Sequence, residues 1–245
     1  MDPLTISAAS GLRSRMESLD MLANNIANAS TGGYKADREF YSLYAAPEAE
    51  GPISGPDTLP VIERPWTDFS QGEVRSTGNP LHVALEGKGF FSVNGPGGPM
   101  YTRDGSFHLS SASQLVTVDG YPVRGTDGNP ITLSAATPAE VLPDGTVHQD
   151  GQAAGQIAVV DFASPAALGK VGRNYFRPAE GSAAPVPAAG YEVRQGSLEG
   201  SNASSAEAAV RLVSVMRQFE MLQKAAALGG EMNRKAVEEV ARVSS

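Results

Sequence analysis

The 245-residue sequence predicts an α+β fold: helices at the N- and C-termini form a coiled-coil-like pair, with an all-β central domain and extended linkers between them. Three observations carry that expectation. Apolar residues recur at helical spacing in the first thirty and the last forty residues. Short alternating apolar runs and five Asp-Gly pairs fill the middle, as strands and tight turns do. Gly and Pro, at 27 and 17 residues, exceed the share found in an ordinary globular chain.

Residues 1–33 form the first element. Leu12, Met16, Leu19, Ala23 and Ile26 are spaced 4, 3, 4, 3, the pattern of an interhelical seam. Arg13, Arg15, Glu17, Ser18 and Asp20 supply the wet face. Asp2 is placed to cap the helix, with Pro3 at the first helical position and Gly32-Gly33 as its stop. Residues 34–78 follow as a Pro/Gly-rich extended linker, punctuated by Pro47, Gly51-Pro52, Gly55-Pro56, Pro60 and Pro65.

The central β domain is expected over residues 79–185. Its strand signals are Leu81–Leu85, Gly89–Val93, Leu115–Val118 and Gln156–Val160, with Asp-Gly turns at Asp104, Asp119, Asp127, Asp144 and Asp150. A return linker, 186–199, leads to the last element at 200–245. There a 4,3 step from Ala208 visits Leu212, Val215, Phe219, Leu222, Ala226, Gly229, Asn233, Ala236, Val240 and Val243, and nine of the eleven are apolar. Either Ser201-Asn202 or Ser204-Ser205 caps this helix, with Glu207 in its first turn. Gly229-Gly230 is a weak point at which it can bend.

Composition narrows the function. A net charge of −8 disfavours nucleic acid and anionic membrane surfaces. Three histidines and no cysteine leave little for a metal centre or a thiol nucleophile. The Asp-Gly loops lack the ligand register of a calcium site. Gly87-Lys88-Gly89 lacks the rest of a phosphate loop, and Ser106 sits in no nucleophile elbow. Arg103-Asp104 reads as an ion pair anchoring a turn. No catalytic, metal or cofactor-binding residue is therefore assigned, and no cofactor is expected. No run of residues reaches the ~18–20 apolar positions that span a bilayer. The first residues also lack the basic and apolar regions of a cleaved secretory signal.

Such helices fit an ordinary helical hairpin in a globular core, but their placement at the two ends and the charge distribution favour self-association. Residues 1–33 carry a net −1 and residues 200–245 a net +1, so the whole −8 falls on residues 34–199. Near-neutral ends can crowd in many copies while an acidic middle stays solvated. Met21, Leu22, Val213 and Met216 lie off the seams and need further apolar partners. The expected assembly interface is Leu12, Met16, Leu19, Ala23, Ile26, Leu212, Val215, Phe219, Leu222 and Ala226, joined by Asn24, Asn25 and Asn28 as hydrogen-bonding groups between copies. A secreted β-domain glycan binder or enzyme whose helices merely dimerise it is the alternative from a different class.

Four blocks resemble the flagellar axial proteins, the family of rod, hook and hook-associated subunits. The first is Ser10-Gly11-Leu12 through Ala23-Asn24-Asn25-Ile26-Ala27-Asn28, ending in Thr31, Gly33, Tyr34 and Lys35. Thr77–Leu81 running into Gly87–Phe91 and Tyr101–Phe107 followed by Leu115–Val123 resemble the rod branch, as does Leu198-Glu199-Gly200-Ser201-Asn202. His82 and the segment Met216–Met221 depart from the usual pattern. Length and the tail Glu231–Val243 look more like the proximal rod subunit than the longer distal one or the hook subunit. The resemblance implies a structural, non-enzymatic subunit of the basal-body rod. It implies export through the flagellar type III apparatus without a cleaved signal, assembly across the periplasm, and a helical array of self-copies. In that array the terminal helices form the inner tube, beside neighbouring rod proteins and without membrane insertion.

Overall fold

The computed structural model describes residues 3–39, 41–45, 58–62, 66–172 and 174–243. The chain forms two units, one of Met1–Ala27, Asp37–Thr67 and Ser204–Ser245, the other of Asn28–Ala36 and Asp68–Ala203.

Two helices dominate the first unit: α1, Pro3–Ala27, and α2, Ser205–Val243. At ~1.5 Å per residue they are about 38 and 58 Å long. They pack along each other, with Leu22, Ala208 and Val215 buried in a cluster flanked by Leu19, Ile26 and Leu212. An antiparallel hairpin of Tyr41–Ala45 and Thr58–Ile62 lies against α1. Asp37–Arg38 pairs with Trp66–Thr67. The stretch 34–78 thus contributes short strands to both units.

Helix α1 ends at Ala27 and not at Gly32-Gly33, where the glycines led the sequence reading to place the stop. The asparagines end it earlier. Thr31 N–H donates to Asn28 O (3.0 Å) and Thr31 Oγ1 to Asn28 Oδ1 (3.3 Å), a local turn that replaces the next helical bonds. The Asp2 cap falls outside the described residues. At α2 the cap is Ser204, whose Oγ accepts the Glu207 N–H at 3.3 Å. The helix runs unbroken through Gly229-Gly230.

The second unit is β-rich, and every strand pair described is antiparallel. Its largest sheet has six strands, in the order Leu168–Val171, Tyr175–Pro178, Gly98–Thr102, Phe90–Gly95, Val159–Asp161 and Val186–Pro187. Strand Phe90–Gly95 separates two apolar clusters because neighbouring side chains point to opposite faces. Phe91 and Val93 enter the main core with Val83, Leu85, Phe107 and Ile157. Phe90 enters an aromatic cluster with Tyr101, Phe162 and Phe176. Edge-to-face ring pairs stabilise both sides, Phe91–Phe107 at 5.4 Å and Phe90–Phe176 at 5.7 Å.

The Asp-Gly pairs do not behave alike. At Asp150-Gly151 both residues take positive φ, 52° and 72°. Asp127 and Asp144 each accept the N–H two residues on, at 3.0 and 2.9 Å. Asp104-Gly105 is different. Gly105 has no positive φ, and a Cβ there would lie 1.8 Å from Val83 O, so glycine is required by close approach of two backbones.

Tyr175 is buried against this core, its hydroxyl donating to Asp119 Oδ2 (2.8 Å) and lying 3.0 Å from Thr117 Oγ1. Burial pushes the phenol well above its ordinary range; Asp119 adds to the shift and Thr117 opposes it. With the folded-state value above the unfolded value of about 10, this group's stabilisation is complete below pH ~10 and is lost as pH rises beyond it. Urea unfolding should therefore show Tyr175→Phe losing less stability than the parent chain between about pH 9 and 11. Equal losses would show that Tyr175 does not govern the alkaline slope.

Candidate functional site

The β unit encloses a charge cluster that joins residues far apart in sequence. Lys35, Arg103 and Glu199 are 0%, 4% and 1% exposed. Lys35 Nζ donates to Glu199 Oε1 at 2.5 Å and to Ser70 O at 2.7 Å. Arg103 Nη1 lies 3.3 Å from Glu199 Oε2, and Gly72 N–H donates to Oε1 at 2.9 Å. One carboxylate thus holds two cations and a backbone amide. Burial pushes both Lys35 and Arg103 below their ordinary ranges, with Glu199 opposing the shift in each.

Backbone packing delivers each charge to this place. Gly33 takes φ +63°, and a Cβ on it would lie 2.2 Å from Asp104 N, so the chain passes directly over the Arg103-Asp104 peptide. Gly33 N–H then donates to Glu199 O at 2.8 Å. Strand Ser197–Glu199 pairs with Val74–Ser76, and Gly200 N–H donates to Glu73 O at 2.8 Å. Asn202 completes the join. Its Oδ1 accepts the Ala36 N–H and its Nδ2 donates to Asp68 O, both at 2.7 Å. From the sheet side Lys170 Nζ donates to Lys35 O (2.7 Å) and sits 4.5 Å from the centre of the Tyr34 ring.

Arg103 is also fixed from its other side. Nη2 donates to Gly87 O at 2.7 Å, Nη1 is 3.3 Å from Leu85 O, and the guanidinium stacks 5.4 Å from the Phe90 ring centre. The expected Arg103-Asp104 ion pair is replaced by two separate arrangements. Arg103 turns inward to Glu199, while Asp104 accepts from Ser106 N (3.0 Å), Ser106 Oγ (2.6 Å) and Asn174 Nδ2 (3.0 Å). The strand Gly98–Thr102 ends just before this pair, and at the bend that follows the two side chains take different partners. The cluster is closed off from solvent and is built to hold chain segments together. Among the described residues no group of three or more His, Cys, Asp or Glu could hold a metal ion.

The helices of the first unit present the remaining expected site residues. On α2, Val215 is buried, and Leu212, Phe219, Leu222 and Ala226 are half-buried on the face toward α1. On α1, Leu22 is buried with Ala208 and Val215, Leu19 and Ile26 pack against that cluster, and a Cβ on Gly11 would lie 3.3 Å from Leu222 Cδ1. Ser14 and Ser18 are also buried. Of the remaining 4,3 positions, Leu12 is half-buried, Met16 is 55% exposed and Ala23 is exposed.

Of the asparagines, Asn24 is exposed and Asn28 is half-buried in the turn with Thr31. Asn25, expected to bond a neighbouring copy, is instead buried and committed within its own chain. Its Nδ2 donates to Asp37 O (2.8 Å) and its Oδ1 accepts the Asp37 N–H (3.0 Å). The buried cluster went unnoticed in the sequence, although a signal was there. Lys35, Arg103 and Glu199 each sit within two residues of a glycine in a short motif, in a chain whose other charges are mostly exposed.

Three family descriptions match this chain. "Flagella basal body rod protein" matches residues 7–35, "Flagellar hook protein FlgE/F/G D1 domain" residues 84–153, and "Flagellar basal body rod FlgEFG protein C-terminal" residues 194–239. Each contains one member of the charge cluster. Among curated relatives, the flagellar basal-body rod protein FlgF of Caulobacter vibrioides is 33% identical over 92% of this chain and 93% of its own. The rod protein FlgG of Borreliella burgdorferi is 35% identical over 89% and 91%, and FlgG of Agrobacterium fabrum 32% over 92% and 94%.

Removing the shared carboxylate should cost more than removing one cation. Glu199→Gln leaves two buried cations unpaired, an expected loss of about 3–5 kcal/mol. Lys35→Met leaves a balanced Arg103–Glu199 pair and should cost clearly less. Chemical denaturation of the two variants decides this, and equal or reversed losses would contradict the shared-carboxylate account.

Proposed function

Because the chain belongs to the flagellar basal-body rod protein family, whose members are structural components of the flagellum, we propose that it is the proximal, FlgF-type rod subunit. It polymerises into the helical drive shaft that carries torque from motor to hook. The single observation that carries self-assembly is the apolar surface its helices leave uncovered. Val210, Val213, Met221, Leu228 and Met232 are each 50–73% exposed along one side of α2, opposite the side that meets α1. A monomer rarely leaves so long an apolar stripe in water, so neighbouring subunits are the natural cover. An interface between different faces of successive copies does not close on itself and generates an open helical array.

The helix pair, packed in coiled-coil manner, is the rod-forming part on this reading, and neighbouring rod proteins cap the array at its ends. Export by the flagellar type III apparatus, without a cleaved signal, delivers the chain to the basal body in the periplasm. Among the described residues no helix is long and apolar enough to cross a membrane. The β unit, closed by its charge cluster, is the rigid body each subunit adds to the shaft, and the whole is structural and not catalytic. The chain is 33% identical to FlgF of Caulobacter vibrioides and 32–35% identical to the FlgG relatives over a similar share, so the proximal assignment draws on the tail Glu231–Val243.

Complementation tests the assignment. The chain should restore swimming to a bacterium lacking its FlgF subunit and not to one lacking FlgG. Rescue of the FlgG-lacking strain alone would make it a distal rod subunit, and rescue of neither would remove the rod assignment.

A further inference from the structure

The two helices carry a second, complementary pair of faces, and we infer that these join one copy of the chain to the next. This inference rests on the self-assembly reading and specifies which surfaces meet. The outer stripe of α2 is apolar and carries two bases, with Glu220 and Glu231 along one margin. Arg217 and Lys224 are exposed on the same side as Val210, Met221 and Leu228, at spacings of 7, 4, 3 and 4 along the helix. Neither has an ion-pair partner among the described residues.

Helix α1 offers the counterpart. Met16, Asp20 and Ala23, spaced 4 and 3, are exposed on the side turned away from α2. Asp20 has no partner among the described residues, whereas the nearby Glu17 is already paired with Arg13 at 3.1 Å. Within one chain these faces cannot meet, because α1 and α2 already contact each other through Gly11, Leu22, Val215 and Leu222. The occupant of the α2 outer stripe is therefore the α1 outer face of a second copy. Apolar residues interdigitate, and Asp20 of one copy sits among Arg217 and Lys224 of the next. Opposite charges beside an apolar seam fix register and partner choice, the role of flanking charges in helical zippers. The contact joins two different faces, so each copy keeps one of each free and the chain of contacts extends.

The full-length protein contains no cysteine, which makes introduced thiols unambiguous reporters. Two sets of single-cysteine full-length chains are mixed and mildly oxidised: Met16→Cys or Ala23→Cys on α1, and Val213→Cys, Met221→Cys or Leu228→Cys on α2. At least one mixed α1–α2 pair should yield a disulfide-linked dimer in excess of either chain alone, since the bond forms only when Cα atoms come within about 7 Å. In parallel, Asp20→Lys should raise the concentration needed for sedimenting assemblies at least tenfold, and adding Lys224→Glu to it should restore most of that loss. Assemblies that form normally without any α1–α2 cross-link, or that link only α2 to α2, would overturn this interface and leave self-assembly standing. A parent chain that stays monomeric at every concentration would overturn both.

Discussion

Everything else in the β unit depends on how two cations are removed from water. Lys35 and Arg103 are fully buried, and a buried charge is tolerated only when it is paired and hydrogen-bonded. Glu199 serves both, and its remaining capacity is taken by the Gly72 amide. The three residues come from the beginning, middle and end of the chain. The cluster therefore cannot form until residue 35 and residue 199 have both reached the sheet, so the unit is complete only when the two arms of the chain are docked. An apolar core of the same volume would hold the segments at least as tightly, but it would not select one partner so sharply, because a misdocked arm leaves an unpaired charge behind.

That selectivity extends to the chain segments on either side of the helices. The segment Gly33–Lys35 follows α1, and Ser197–Asn202 precedes α2. Within the β unit these segments are bonded directly to each other, Gly33 to Glu199 and Ala36 to Asn202. The segment that follows α1 and the segment that precedes α2 are thus joined by hydrogen bonds inside the β unit. Asn25 adds a second restraint at the end of α1 by pairing with the Asp37 backbone in the manner of a strand. Asparagine is a poor helix former, and its presence here reflects that bond and not helical propensity.

Much of this was legible in the sequence. Helical periodicity located α1 and α2, and alternation with Asp-Gly turns located the β unit, because each pattern follows from one local period. The run Gly89–Val93 falls on strand Phe90–Gly95 of the main sheet, whereas Gln156–Val160 straddles the end of strand Gln152–Gln156 and the start of the main-sheet strand Val159–Asp161. What escaped depended on non-local geometry. Met16 and Ala23 satisfy the seam pattern, yet both are exposed, while Leu19, Leu22 and Ile26 meet α2. Arg103-Asp104 looked like a local pair because the two are adjacent, although each finds its partners elsewhere, Arg103 at Glu199 and Asp104 at Ser106 and Asn174. Glu199 was invisible as a partner for Lys35 because it lies 164 positions further along the chain. Glycine spacing near both was the one available hint.

Native-state hydrogen exchange on the full-length chain tests the central claim most directly. If the charge cluster closes the β unit, the amides of Gly33, Gly72 and Gly200 should exchange at the rate of the core strands Val83–Glu86 and Phe90–Gly95, as one cooperative body. If those three amides exchange orders of magnitude faster than the core strands, the arms open independently and the cluster is not what holds the unit together.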